Sequence, residues 1–410
     1  MIMDLSISDS KISVSSYFLL FIFLCFSGNP LFTAQGYSKL LLVIYGLSFI
    51  IYSLFFIRQS ILFQSLHVLL LPVVLITILS VFQYVTFQKI SIPGIFSLIL
   101  KISVGYFLLL FFQLQSVNPF VVYIRLMSFL SLISFPFFIL NFFIHYGLQL
   151  DAEALKSVLF YTSYPLPPSM LRNSGMFWEP GAFAGYLILA LIFVVIINRE
   201  FLVGKFHYEV LLIFIALCST FSTTGFLTIG FLLLIYVFQN FRFARYLFLP
   251  LLFFLFKFFY DQFEFLSDKI EHQFAEAVAM ERSEVSNTRF GAFKMDLTYI
   301  LDQPIIGNGL NKDIRYRFHP LIEEEIGHGN GMSNFIVWWG IPFFVFWLIT
   351  ACLFLYRNTQ SFLISIFCTF ALLLLLQGEQ FLDYPLFLVF FTAYTFKFKE
   401  TVLFARLASS

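Results

Sequence analysis

Apolar stretches of bilayer-spanning length recur along almost the whole chain, and few folds can accommodate them. A membrane helix needs about 20 predominantly apolar residues. Leu40 to Ile57 is one such stretch, and it lacks the alternation of polar and apolar positions that marks a barrel strand. Inside a bilayer a helix satisfies its own backbone hydrogen bonds, so helices are the expected elements. Composition agrees: 60% of the 410 residues are hydrophobic and 11% are charged, against about 25% charged in a soluble domain. The 62 phenylalanines read as bulk for lipid contact. A net charge of +1 offers no electrostatic footprint for nucleic acid. Cys25, Cys218, Cys352 and Cys368 each lie in an apolar run and read as buried thiols.

The pattern predicts an all-α, polytopic integral membrane protein of about twelve transmembrane helices. They centre near Leu20, Tyr45, Val73, Val104, Ser131, Leu189, Ile213, Leu232, Phe253, Phe344, Phe367 and Val389. Only Lys11 precedes Tyr17 to Phe26, so the first run reads as a spanning helix and not a cleaved signal. With the N-terminus inside, the inner loops hold Arg58, Arg199 with Lys205, Arg242 with Arg245, and Arg357. The tail adds Lys397, Lys399 and Arg406, whereas the short outer loops hold only Lys39 and Lys89. Basic residues accumulate on the cytoplasmic side, so both termini are expected there.

This reading divides the chain into five parts. Residues 1–147 carry transmembrane helices 1–5, and 148–179 form a first long outer loop. Residues 180–260 carry helices 6–9, 261–331 form a large, partly helical outer loop between helices 9 and 10, and 332–410 carry helices 10–12 and the tail. The larger loop concentrates thirteen acidic and seven basic residues. Ile270, Phe274 and Val278 recur every fourth residue and predict a short amphipathic helix. Asn287 or Thr288 would cap a second helix carrying Phe290, Phe293, Leu297 and Leu301. Asp302-Gln303-Pro304 would end it, before a turn at Gly307-Asn308-Gly309.

Three clusters have residue types suited to chemistry. The first is RNSGMFWEPGAFAGYL, Arg172 to Leu187, where Pro180 fits a first helical turn and puts Glu179 at the positive end of the helix. Its simpler reading is an interfacial anchor, with Trp178 in the aromatic belt and Arg172 on a lipid phosphate. The second is Arg282 and Arg289, because guanidinium groups grip phosphates by paired hydrogen bonds. The alternative there is a solvated helix in which Glu281 and Glu284 are the partners. The third is His328 among Gly327, Gly329 and Gly331. Imidazole takes protons near neutral pH, glycines allow a close substrate approach, and Asn330 would orient a sugar or the ring. A lone loop histidine is usually just an exposed polar residue; His319, the weaker candidate, lacks the glycine setting. No P-loop, GxGxxG or zinc-binding HExxH motif occurs, so no cofactor or metal is expected. Charges inside helices are few, chiefly Lys101, Arg125, Lys257 and Asp383, which argues against a transport pathway.

In order, RNSGMFWEPGAFAGYL, STTGFLTIGFLLL from Ser222, TRFGAF from Thr288, PIIGNGL from Pro304 and the His328 region resemble the bacterial O-antigen polymerase and O-antigen ligase superfamily, over about Arg172 to Pro342. The resemblance implies a GT-C-like membrane fold and a glycosyltransferase of the bacterial inner membrane, active on its periplasmic face. The implied donor is a glycan on undecaprenyl pyrophosphate, with a chain-length regulator protein as a further partner. It implies that Arg172 and Arg289, with Arg282, hold the pyrophosphate. His328 would be the base with Glu179 as the alternative, and Asn330 and Trp178 would contact glycan. In ligases a polar residue directly follows the histidine, whereas Gly329 separates His328 from Asn330 here, and a second glycine near Phe343 is absent. This favours a surface-polysaccharide polymerase over the ligase, which shares the donor but uses a lipid A–core acceptor. A non-enzymatic lipid-glycan transporter, with a polar path near Lys101 and Arg125, is the rival from another class.

Overall fold

The computed structural model describes residues 14–30, 59–143, 162–166, 170–197, 206–240, 289–318 and 330–398, with isolated positions at 43, 44, 46, 47, 51, 250 and 271. The chain is a helical membrane protein: among the described residues, five helices are long and apolar enough to cross a bilayer. The helices run α1 (Val14–Phe26), α2 (Gln59–Phe87), α3 (Ile92–Leu114), α4 (Pro119–Phe142), α5 (Pro180–Ile197), α6 (His207–Ser219) and α7 (Thr223–Asn240). There follow α8 (Arg289–Asp302), α9 (Lys312–Arg315), α10 (Gly331–Thr359), α11 (Phe362–Leu376), a 3-10 turn (Phe381–Asp383), α12 (Pro385–Leu388) and α13 (Phe390–Ala393). The expected segments near Tyr45 and Phe253, and the amphipathic helix from Ile270 to Val278, fall largely outside the described residues.

Helix α5 is the pillar of the bundle. Every residue from Ala182 to Ile196 is buried, as suits a helix that is apolar all round. The outer helices bury one face and present another: on α2, Leu70, Val74, Ile78, Phe82 and Val85 are exposed. Around water such a surface would be costly; in a bilayer it is lipid contact.

The ends of the helices gather into two groups. At one end Asn29, just past α1, donates 2.8 Å to the Met176 carbonyl before α5. Lys89, past α2, pairs with Asp313 at 2.7 Å. At the other end, Phe120 at the start of α4 meets Phe193 at the close of α5, Phe354 late in α10, and Phe398. There too Arg357 donates 2.8 Å to the Tyr394 carbonyl.

Two breaks in the helical pattern matter for the site. The only strands among the described residues are β1 (Thr162–Leu166) and β2 (Met170–Asn173), an antiparallel hairpin with a register shift between Ser163 and Leu166. Pro165 lies in that interval, and a proline cannot donate to a ladder. Buried Asn173 fastens β2 to the bundle, donating to Ser134 of α4 at 3.0 Å and Ser219 of α6 at 3.1 Å. The second break is Gly340, where φ 79° and ψ 164° interrupt α10. The PIIGNGL turn fills the gap. Asn308 and Gly309 donate backbone N–H groups to the Val337 and Trp338 carbonyls, and the Ile341 N–H donates to Pro304.

The same loop is clamped from below by a buried ion pair. Arg315 pairs with Asp296 and donates to Asn334 Oδ1 at 3.1 and 3.2 Å. Ser333 donates to the other Asp296 oxygen at 2.5 Å. Helix α8 thus packs with Ala292, Met295, Asp296, Tyr299 and Ile300 inward. The helix expected to carry Phe290, Phe293, Leu297 and Leu301 is present, and those four residues form its exposed face. Fourfold spacing fits more than one helical face, and the buried polar network decides between them.

Candidate functional site

The start of α5 carries the first piece of the site. Glu179 precedes Pro180, and its carbonyl accepts the Phe183 N–H, so its side chain stands where the helix N-terminus is most positive. Gly181 has no side chain for a reason: a Cβ there would collide with Glu379 Oε1 and lie 3.5 Å from Glu179 Oε1. Both carboxyls therefore converge over the first turn of α5.

Glu379 lies in the turn between α11 and the 3-10 turn. Two further glycines clear its place. A side chain at Gly331 would strike the Glu379 carbonyl, and one at Gly378 would press on Thr224 Oγ1 at 3.2 Å. Of the sequence motifs, EPG supplies Gly181, STTG supplies Thr224 and TRFGAF supplies Arg289, and all three meet here.

The arginines bracket the carboxyl pair. Arg289, the first residue of α8, donates to Thr224 Oγ1 at 2.5 Å and to Glu379 Oε1 at 3.4 Å. Arg172, on β2, donates through Nε to the Thr220 carbonyl at 2.9 Å, at the end of α6. Burial pushes the Glu379 carboxyl well above the usual carboxylate range; the neighbouring Glu179 pushes the same way, and Arg289 and Arg172 push back. Burial lowers the Arg172 guanidinium from its ordinary value, and Arg289 adds to that, against Glu179 and Glu379. Two guanidinium groups and two facing carboxyls thus occupy one desolvated corner of an otherwise apolar bundle.

Of the residues singled out in the sequence, Arg172, Glu179 and Arg289 come together here, from three separate segments. Trp178 sits beside them with one ring face on Tyr384, 4.6 Å between centroids. Asn330 is buried, and its Oδ1 accepts the Ser333 N–H at 3.1 Å as the cap of α10. Arg282 and His328 lie outside the described residues. Glu379, Thr224 and the Asp296–Arg315 pair escaped the sequence reading. Glu379 had one signal, an acid in the short polar break QGEQ between two apolar runs. Asp296 had another, a lone charge in register with Ala292, Met295 and Tyr299. No family model matches the chain, and no curated protein matches it.

Proposed function

We propose that the chain is a membrane glycosyltransferase that polymerises a surface polysaccharide such as O-antigen. It would move a growing glycan from undecaprenyl pyrophosphate to a hydroxyl of the next lipid-linked repeat unit. The observation that carries the reading is the meeting of Arg172 and Arg289 at one partly buried point. Guanidinium groups hold phosphate oxygens by paired hydrogen bonds, and two of them together suit the two phosphates of a pyrophosphate. In this reading the bundle is a GT-C-like scaffold of twelve helices with both termini cytoplasmic, in the bacterial inner membrane. The site then faces the periplasm, and the large loop between helices 9 and 10 supplies Arg289.

The reaction is a displacement at the anomeric carbon. Attack by the acceptor hydroxyl forms one C–O bond as the bond to pyrophosphate breaks. The two arginines carry the charge that develops on the leaving group, a role that needs no metal. Holding both lipids at one bilayer depth supplies the rest, by making the encounter effectively intramolecular.

The test is genetic and direct. Arg172→Ala and Arg289→Ala are each expected to abolish long-chain polysaccharide while single repeats persist. Chain-length ladders of normal extent in both variants would overturn the reading. Deleting the gene also separates polymerase from ligase: core bearing one repeat indicates the first, and bare core with polymer left on the carrier lipid indicates the second.

A further inference from the structure

We propose that Glu379, backed by Glu179, is the group that takes the proton from the attacking hydroxyl. The inference rests on the glycosyl-transfer reading above and assigns a residue that neither motif nor charge pattern pointed to.

Position argues for it first. Glu379 lines a narrow crevice, too tight for a water molecule, together with Gly181, Thr224 and Arg289, and Glu179 adjoins it at Gly181. Its side chain keeps 12% of its surface and that of Arg289 keeps 24%, so both are desolvated yet reachable. An anion gripped by Arg289 would therefore lie within a few ångströms of the carboxyl. Construction argues for it next. Gly181, Gly331 and Gly378 each remove a side chain that would displace Glu379 or its neighbours. The bare positions at Gly181 and Gly331 leave room for the Glu379 side chain and carbonyl beside Arg289.

Chemistry completes the case. A hydroxyl attacking the anomeric carbon must lose its proton as the new bond forms, and a positioned carboxylate accepts it. Facing Glu379 are Glu179 ahead of α5, Arg172 on β2, Arg289 on α8 and Tyr384 after the 3-10 turn. Glu179 and burial make Glu379 a stronger base than a solvated carboxylate, and the two arginines keep its ionised form accessible. The ionised Glu379 carboxylate takes the proton of the attacking hydroxyl. The new glycosidic C–O bond forms, the anomeric C–O bond breaks, and its electrons leave with the lipid pyrophosphate. The added proton passes to water when the product departs.

The experiment uses the purified full chain in nanodiscs with lipid-linked repeat units, and inorganic pyrophosphate as a binding probe. Glu379→Gln is expected to slow transfer by about 10²–10⁴-fold, the usual contribution of a general base, with pyrophosphate affinity unchanged. Glu379→Asp should recover part of the rate. Glu179→Gln removes a neighbour that raises Glu379, so the acid limb of the rate–pH profile should move to lower pH. That shift is readable even if Glu379→Gln fails to fold. The proposal is overturned if Glu379→Gln transfers at the native rate, or if it loses pyrophosphate binding in step with activity. It also fails if Glu179→Gln leaves the acid limb in place. His328→Ala isolates the other candidate base: loss of transfer there, with Glu379→Gln active, assigns the proton to the imidazole. Arg289→Ala separates this inference from its parent. If that variant also transfers normally, the glycosyl-transfer reading fails; if it is inactive while Glu379→Gln is normal, only the base assignment fails.

Discussion

The side-chain amide of Gln83 on α2 donates 2.8 Å to the carbonyl of Trp338, 255 residues away, at the point where α10 breaks. The same nitrogen donates 2.7 Å to the Ile306 carbonyl. One side chain thus joins α2, the PIIGNGL turn and the kink. Gln83→Leu should leave the Ile306 carbonyl without this donor and cost about 1–3 kcal/mol. Gln83→Glu should cost more, because it sets a carboxylate against two carbonyls. Thermal unfolding in detergent orders the three proteins, and equal midpoints would refute the linkage.

Gly340 occupies a backbone region essentially reserved for glycine, and a Cβ there would strike the Ile305 carbonyl. Gly340→Ala is expected to lose about 1–3 kcal/mol from backbone strain alone, with the clash added. Its unfolding midpoint should fall further than that of Gly230→Ala, where a Cβ meets nothing within 4 Å.

Removing one member of the Asp296–Arg315 pair strands a charge in the interior. Asp296→Ala should therefore cost about 3–5 kcal/mol. The double variant Asp296→Leu, Arg315→Met should recover much of that loss, since neither charge is then left buried. A double variant no more stable than Asp296→Ala would show that the pair does more than compensate itself.

Gly181→Ala tests the site without touching a polar group. The added methyl must push the Glu379 carboxyl away from Arg289, a cheap move for a flexible side chain. Stability should hardly change, because alanine suits a helix better than glycine. The rate of glycan transfer should fall by up to about 10²-fold, as displacement of a reacting group by an ångström can do. A native rate would separate Glu379 from the chemistry.

Lys89→Ala is the contrasting case. Its partner Asp313 and the lysine itself are well exposed, at 71% and 53%. An ion pair of that kind contributes at most about 1 kcal/mol, so the unfolding midpoint of Lys89→Ala should match that of the native protein.

The helices from Gln59 to Phe142, from Pro180 to Ile197 and from Gly331 to Leu376 were legible because membrane insertion demands long apolar runs, whereas the spanning helix expected near Val389 is instead two single turns, Pro385–Leu388 and Phe390–Ala393. Arg172, Glu179 and Arg289 were legible because polar groups are rare in such a chain and these sit where helices begin or loops rejoin them. Glu379 was hidden by the same logic: a single acid between two apolar runs looks like an ordinary turn. Its partners lie 90 and 200 residues away in sequence, at Arg289 and Glu179, and no local pattern encodes that meeting. The buried face of α8 was not legible because a bilayer tolerates exposed phenylalanine and leucine, so apolar spacing ceases to mark the core. The hairpin ahead of α5 depended on where prolines 165, 167 and 168 fall, and these forbid a helix without naming its replacement.

The stretch from Phe381 to Phe398 is threaded through the middle of the bundle. Phe387, Leu388 and Phe391 are wholly buried, and the chain there is held by Ser27 of the first helical stretch, Lys101 of α3 and Trp347 of α10. The ribosome makes this stretch after every other described element. A chain emerging N-terminus first must therefore assemble its earlier helices around an unfilled slot and receive the plug late. Glu379, two residues ahead of this stretch, is made 90 residues after Arg289. Filling the slot and seating Glu379 against Arg289 thus both wait on the same late part of the chain.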